Sequence, residues 1–205
     1  MRLRSLALPA LLTTAAFAPA NAEAPKAAPA APAPLALGAP APDFTLTDST
    51  GKSVKLSDLK GKTVVLEWTN PGCPFVKRHA QAGTMKKLAE AAGDKVVWLA
   101  IDSSHFAKPE EHEKWRTENK LGYAFLGDPS GTVGHAYGAR TTPHMFVIDP
   151  KGALAFRGPI DDDPQGDKPA PRSYVGEALA ALASGKAPAV AEAEPYGCSV
   201  KYAKK

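Results

Sequence analysis

The chain has no long basic run, no second apolar stretch of membrane-spanning length, no internal repeat and only two cysteines. The first absence argues against a nucleic-acid surface. The second argues against a membrane-inserted domain once the first residues are set aside. Two cysteines allow one internal bridge, one redox pair, or one bridge to another chain. The formal charge of +4 is also modest, and part of it belongs to Arg2 and Arg4 at the very start. Removing them lowers it to +2.

What is present reads in segments. Residues 1–22 have the pattern of a secretory signal: Arg2 and Arg4, the short apolar run "LALPALLTTAAFA", then "ANA" at a small-residue cleavage point. No cysteine follows that point, so no lipid anchor is expected there. Periplasmic or secreted localisation follows, and with it an oxidising setting for both thiols. Residues 23–42, "EAPKAAPAAPAPLALGAPAP", read as an Ala/Pro linker that cannot bury a core. Residues 43–187 read as one domain, and 188–205 as an irregular tail with the second cysteine. The 205 residues suffice for a domain of ordinary size.

Within the domain, "DFTLTDSTGKSVKL" alternates around a Gly-containing turn and predicts a hairpin. "KTVVLEWT" and "KVVWLAID" are nearly continuous apolar runs, as in strands covered on both faces. Residues 74–92 predict one helix opened by Pro74 and stopped at Gly93 and Asp94. "KPEEHEKWRTENK", "SGTVGHAYG" and "RSYVGEALAALASGK" predict further helices, and "YAFLGD" a short strand. "TPHMFVID" and "ALAFRG" form a second hairpin. Strands alternating with helices predict an α/β fold with a parallel centre.

Cys73 falls at the carboxyl end of the first central strand and directly before a helix, where sites in such sheets form. A sulfur there faces unpaired amides and the positive end of the helix dipole, and both favour the thiolate. Lys77 and Arg78 add favourable field one turn on. The bland alternative is an inert buried cysteine. Glu67 interrupts "VVLEW" with a carboxyl between apolar neighbours. It reads either as a proton acceptor with a raised pKa or as an edge or ion-paired residue. Pro143, just before "MFVID", marks a special turn, and a cis bond after Thr142 is expected.

The stretches "APDFTLTDSTGKSVKLSDLKGK", "VVLEWTNPGC" and "TPHMFVIDPKG", with the closing helix, resemble the thioredoxin-like superfamily. The resemblance is to the branch shared by peroxiredoxins (alkyl hydroperoxide reductase/thiol-specific antioxidant) and thioredoxin-like reductases. It implies a thioredoxin-like α/β fold, a central mixed sheet flanked by helices, with an extra N-terminal hairpin. It also implies that Pro143 is the cis-proline lying against the active cysteine, and that Glu67 stands where thioredoxins keep a buried Asp. Trp68, Asn70, Pro74, Thr142 and Pro143 are then the expected substrate-binding set. The departures are sharp. The Cys-x-x-Cys run becomes Cys73-Pro74-Phe75-Val76. The peroxiredoxin run Pro-x-x-x-Thr-x-x-Cys meets Leu66 and Asn70 when counted back from Cys73, and Thr69 and Cys73 when counted from Val76. The arginine before the "FVID" strand is replaced by Pro143, with Arg140 the nearest substitute.

Cys198 in "EPYGCSVKY" is the natural replacement for the missing partner, brought in by a tail that Tyr196, Gly197 and Tyr202 would help to dock. A static bridge, worth ~4–5 kcal/mol for so long a loop, and an intermolecular bridge stay open. His79, His135 and His144 lack a second cysteine at metal spacing, and no metal or cofactor is expected. "DDDPQGD" lacks calcium-ligand spacing and reads as a solvated loop. The whole points to a thiol–disulfide oxidoreductase with Cys73 as the single active-site nucleophile, Cys198 or an outside thiol resolving the intermediate, and Glu67 as the candidate proton relay. Its partner would be a protein disulfide or thiol, with a redox partner protein. A thiol peroxidase, or a binding module with a permanent bridge, is the alternative.

Overall fold

The computed structural model describes residues 35–204. The expected signal, residues 1–22, and most of the expected linker lie outside them. The hairpin is present as β1 (Thr45–Asp48) and β2 (Ser53–Lys55), turned by Gly51 at φ 89°. Asp48 Oδ1 ties the turn by accepting from the N–H groups of Thr50 and Lys52. The two apolar runs become β3 (Thr63–Trp68) and β4 (Val96–Asp102), parallel neighbours at the centre. β5 (Ala124–Gly127) continues the parallel set beside β4. β7 (His144–Ile148) and β8 (Leu154–Gly158) form the second hairpin, with β7 antiparallel to both β3 and β8. The sheet order is β2-β1-β5-β4-β3-β7-β8.

The two faces of this sheet carry separate apolar cores, because successive strand side chains point to opposite sides. Val64, Leu66 and Trp68 of β3 join Leu99, Ile101, Tyr137 and Phe146 on one face. Val65 joins Trp98, Met145, Val147 and Phe156 on the other. That second face is covered by α2 (Thr84–Ala92), through Met85, and by α5 (Tyr174–Ala183), through Val175 and Ala178. Ser173 caps α5, its Oγ accepting from the Gly176 N–H at 3.1 Å. α3 (Pro109–Glu118) packs on β5, and α4 (Thr132–Tyr137) sends Val133 and Tyr137 into the first core.

The helix expected over 74–92 is two helices. α1 (Pro74–Ala82) ends where Gly83 takes φ 68°, a left-handed conformation that suits glycine, and α2 starts at once. Period alone misses this break, since the apolar spacing continues across it.

The last residues are irregular, yet they are docked. Arg157 N–H donates to the Ala191 carbonyl at 3.0 Å, and its side chain pairs with Glu192. Val200 is buried in the first core. Tyr202 stacks on His135 with centroids 4.0 Å apart, and its hydroxyl donates to the Ala139 carbonyl. β9 (Cys198–Ser199) pairs antiparallel with β6 (Thr141–Thr142). At the other end, Leu35, inside the stretch read as linker, is buried in the same core as Val200.

Tyr196 is the main polar anchor of this segment. Its hydroxyl meets Asp161 Oδ1, His79 Nε2 at 2.9 Å and Arg78 at 3.5 Å. Its ring lies 5.9 Å from that of Phe75. Burial, opposed by Asp161 and reinforced by Arg78, holds the His79 imidazole below its usual range. The acidic loop read as solvated is therefore largely structural: Asp161 and Asp163 are buried, and Asp163 accepts from the N–H groups of Gly166, Asp167 and Lys168. Tyr196→Phe strands buried partners and should cost about 1–3 kcal/mol in urea unfolding, with the far-UV spectrum unchanged. An unaltered unfolding midpoint would show that this network does not hold the tail.

Candidate active site

Cys73 is the N-cap of α1, with φ −76° and ψ 126°, and Pro74 occupies the first helical turn. The preceding loop holds it there. Asn70 Oδ1 accepts from the Gly72 N–H at 2.6 Å, its Nδ2 donates to Ser104 Oγ at 2.6 Å, and its carbonyl accepts from the Cys73 N–H at 3.0 Å. Asn70 thus acts as the spacer that turns the chain from β3 into α1. It also lines the cleft beside the thiol.

The Thr142–Pro143 peptide is cis, as the sequence pattern leads one to expect. Thr142 is buried, and its carbonyl oxygen lies 3.0 Å from Cys73 Sγ. The groove expected beside Thr142 and Pro143 for an extended substrate is filled by β9, in the register Thr141↔Ser199 and Thr142↔Cys198. Gly197 makes this approach possible: with φ 133°, its backbone lies so close to the Thr142 carbonyl that a Cβ would collide with it. No movement of the tail is needed to bring the two cysteines together, and both are free thiols.

Their environments divide the protons unequally. Burial pushes the Cys73 thiol up, and the Thr142 carbonyl favours its S–H form. Against this, the Thr142 hydroxyl, the Cys198 thiol and the N–H groups of Val76 and Cys198 all stabilise the anion. The donors prevail, and the Cys73 value falls below that of an ordinary thiol. Cys198 moves oppositely, to about 11, through burial and then through its contact with Cys73, with Lys201 acting the other way. The pair thus favours a thiolate on Cys73 and a proton on Cys198.

Glu67 is buried among apolar side chains on the face of the sheet beneath α2. Its Oε2 accepts from Trp98 Nε1 at 2.8 Å and from the Tyr123 hydroxyl at 3.3 Å. Burial raises its pKa to about 7, although Trp98, the Thr69 hydroxyl and Tyr123 pull the other way. Its hydrogen-bond partners are these aromatic groups, and no bond to Cys73 joins it directly to the thiol among the described residues.

Several expected positions lie elsewhere. Trp68 is fully buried in the first core, its indole N–H donating to Ser103 Oγ at 3.0 Å, so it cannot touch a substrate. The alternation of β3 turns it to the face opposite Glu67. Pro74 is exposed beyond the cleft wall and sets the helix start. Arg140 pairs with Glu194 at 3.0 Å on the surface and does not line the cleft at Cys73. His144 is buried beside Phe146, where desolvation and then Arg140 and Arg157 lower its pKa to about 3.

A cleft of about 310 Å³ opens on the two cysteines. Its wall includes Asp102, Phe106, His112 and Lys201, none of which the sequence pattern singles out. His112 Nε2 lies 3.2 Å from Asp102 Oδ2, and its ring stacks on Phe125 at 4.4 Å. Asp102 ends β4 on the same side of the sheet as the loop that leads from β3 to Cys73, so the strand-end rule is the signal that finds it. Phe106 is 52% exposed at the rim.

The raised Glu67 value fixes a pH dependence. The native carboxyl binds its proton more tightly than the unfolded one, so its contribution to stability is complete below pH 4.5 and lost as the pH rises to about 7. The loss amounts to about 3 kcal/mol. Glu67→Gln should therefore gain stability relative to the parent between those pH values in urea titrations. A difference that does not change with pH would contradict the buried-carboxyl account.

Comparison with known proteins gives the site a context. The AhpC/TSA family pattern matches residues 37–157. The thiol-disulfide oxidoreductase ResA of Bacillus subtilis is 29% identical over 118 residues, 57% of this chain and 64% of ResA, so the chain spans less than two thirds of that relative. Peroxiredoxin-2 of Cricetulus griseus is 33% identical over 137 residues, 58% of this chain and 66% of that protein. The crystal structure of a hypothetical protein from Sinorhizobium meliloti 1021 superposes with a TM-score of 0.74 at 26% identity, covering 83% of this chain and 97% of that one. The mixed central sheet flanked by helices, with its added N-terminal hairpin, is a thioredoxin-like fold. The family match covers more than half of the sequence and contains Cys73 at its strand end, and the chain belongs to the AhpC/TSA family.

Proposed function

We propose that the protein is a thiol–disulfide oxidoreductase whose working pair is Cys73 and Cys198. One observation carries this reading: two free cysteines meet at a helix N-terminus, with the anion favoured on one and the proton on the other. The Cys73 thiolate attacks a substrate disulfide, one sulfur of which leaves as a thiol. Cys198, on losing its proton, attacks Cys73 in the mixed disulfide, releases the second substrate thiol and leaves a Cys73–Cys198 bridge. The substrate is reduced by two electrons and the pair is oxidised by two. Glu67, with a pKa near neutrality, is suited to exchange a proton during these steps through its surroundings rather than by direct contact. ResA, named a thiol-disulfide oxidoreductase, supports this reaction class. We also infer export from residues 1–22, and no helix among the described residues is long and apolar enough to cross a membrane.

Peroxide reduction is the second reading, favoured by the family and by the lowered pKa of the Cys73 thiol. In it, Cys73 becomes a sulfenic acid and Cys198 condenses with it, releasing water. The displaced Arg140 leaves no guanidinium to hold a peroxide at the sulfur among the described residues, so disulfide exchange ranks first.

Cys73→Ser should reduce turnover of a model dithiol–disulfide couple at least ~100-fold, whereas Cys198→Ser should retain the first attack and accumulate mixed disulfides. Equal activity of Cys73→Ser and the parent in insulin reduction with dithiothreitol would refute the assignment. Hydrogen peroxide consumption faster than disulfide exchange would reverse the ranking of the two reactions.

A further inference from the structure

The backbone beside Pro143 is already taken. β9 pairs with Thr141 and Thr142, the segment that an extended chain from outside would use. What stays open is the cleft of about 310 Å³ that both cysteines line. It has the volume of about ten waters in the liquid and lies at the small end of ligand sites. One amino-acid-sized half of a disulfide fits such a space, and a folded loop does not. Cys73 is 3% exposed, so a disulfide must enter this cleft to meet it. The enclosure of the sulfur thus selects its substrate by width.

The charges at the cleft divide into those already used and those left open. Asp102 is buried, and its carboxylate accepts from the Ser104 N–H at 2.8 Å and meets His112 Nε2 at 3.2 Å. Glu111, in the first turn of α3, and Lys201, just past β9, line the same cleft and are exposed. Neither forms an ion pair among the described residues. The Lys201 ammonium meets only Ser199 Oγ, at 3.3 Å. The His105 N–H donates to the Lys201 carbonyl at 2.9 Å, which ties the tail to the loop that presents the exposed Phe106 ring. Two opposite charges and one apolar ring around a small cleft are the complement of a zwitterion on a short sulfur-bearing stem.

We infer that the substrate of this site is a small zwitterionic disulfide of the amino-acid type, cystine in its simplest form. Its carboxylate meets Lys201, its ammonium meets Glu111, and its sulfurs pass Phe106 to reach Cys73. This rests on the proposed exchange reaction and names the substrate class. Cys73 forms a bond to one substrate sulfur as the substrate S–S bond breaks, and Cys198 then displaces the bound half. One cystine and two protein thiols become two free cysteine molecules and one Cys73–Cys198 bridge, so two electrons and two protons pass to the substrate.

The test follows bridge formation in the full, reduced chain by acid quench, alkylation and mass spectrometry. The oxidants are L-cystine, the neutral bis(2-hydroxyethyl) disulfide, the dication cystamine, and insulin. Comparing each disulfide across variants cancels its intrinsic reactivity. Lys201→Glu and Glu111→Lys should each slow cystine about fivefold at low salt and leave the hydroxyethyl disulfide within about twofold, and the loss should fade in ~1 M salt. Lys201→Glu should also speed cystamine. Lys201 favours ionisation of Cys198 as well. A loss in Lys201→Glu shared equally by cystine and the hydroxyethyl disulfide would assign it that role alone and overturn the recognition of charge, as would the absence of a selective loss in Glu111→Lys. In the parent, insulin should react more slowly than cystine when both are scaled to their rates with free dithiothreitol. Faster reaction of insulin overturns the substrate class and leaves exchange standing. Failure of all these disulfides to produce the bridge overturns the exchange reading as well.

Discussion

The antiparallel contact between β9 and β6 organises the chemistry of this molecule. It places Cys198 opposite Thr142, whose carbonyl touches Cys73, and so brings two distant cysteines to one helix N-terminus. Each sulfur then becomes part of the other's environment. A proton donated by Cys198 stabilises the Cys73 anion, and that anion raises the cost of ionising Cys198. The asymmetry comes from the helix start: amides of α1 are available to the first sulfur and not to the second.

The same contact changes what kind of thioredoxin-like site this is. In an open groove, the backbone of Thr141 and Thr142 would be free to pair with an extended segment from outside. Here that edge is already satisfied by the protein's own chain. The remaining entrance is a compact cleft with Phe106 at its rim and the Asp102–His112 pair in its wall. Tyr196 and Tyr202 make the arrangement durable, one through hydrogen bonds to α1 and the acidic loop, the other by stacking near α4. Gly197 permits it sterically, since a side chain there would meet the Thr142 carbonyl.

Much of the frame was legible in the chain. The apolar runs around Val65 and Leu99, the alternating hairpin before them and the Pro and Gly residues at helix ends dictate local structure directly. Cys73 announced itself because a strand end and a helix start are recognisable over a few residues. Glu67 was visible as a charge inside an apolar strand, and burial without an ion pair is what raises its pKa. Trp68 differs from its expected place for a related reason: neighbours in sequence on a strand point to opposite faces, and its ring is buried in the first core rather than lining the cleft at Cys73. The break at Gly83 was missed because a left-handed residue can interrupt a helix without disturbing the apolar period.

The sequence by itself determined the α/β frame, the position of a thiol at a helix N-terminus and the presence of a carboxyl within a central strand. These follow from interactions among residues close along the chain, where spacing and residue type suffice. Only the tertiary structure decided that the tail contributes a short docked strand, that it fills the groove beside Pro143, and that Cys198 is the partly exposed cysteine and Cys73 the buried one. Those outcomes depend on contacts between segments far apart in sequence, chiefly Tyr196 with Asp161 and β9 with β6. No local pattern encodes such contacts, because their free energy exists only once the sheet has brought the partners together.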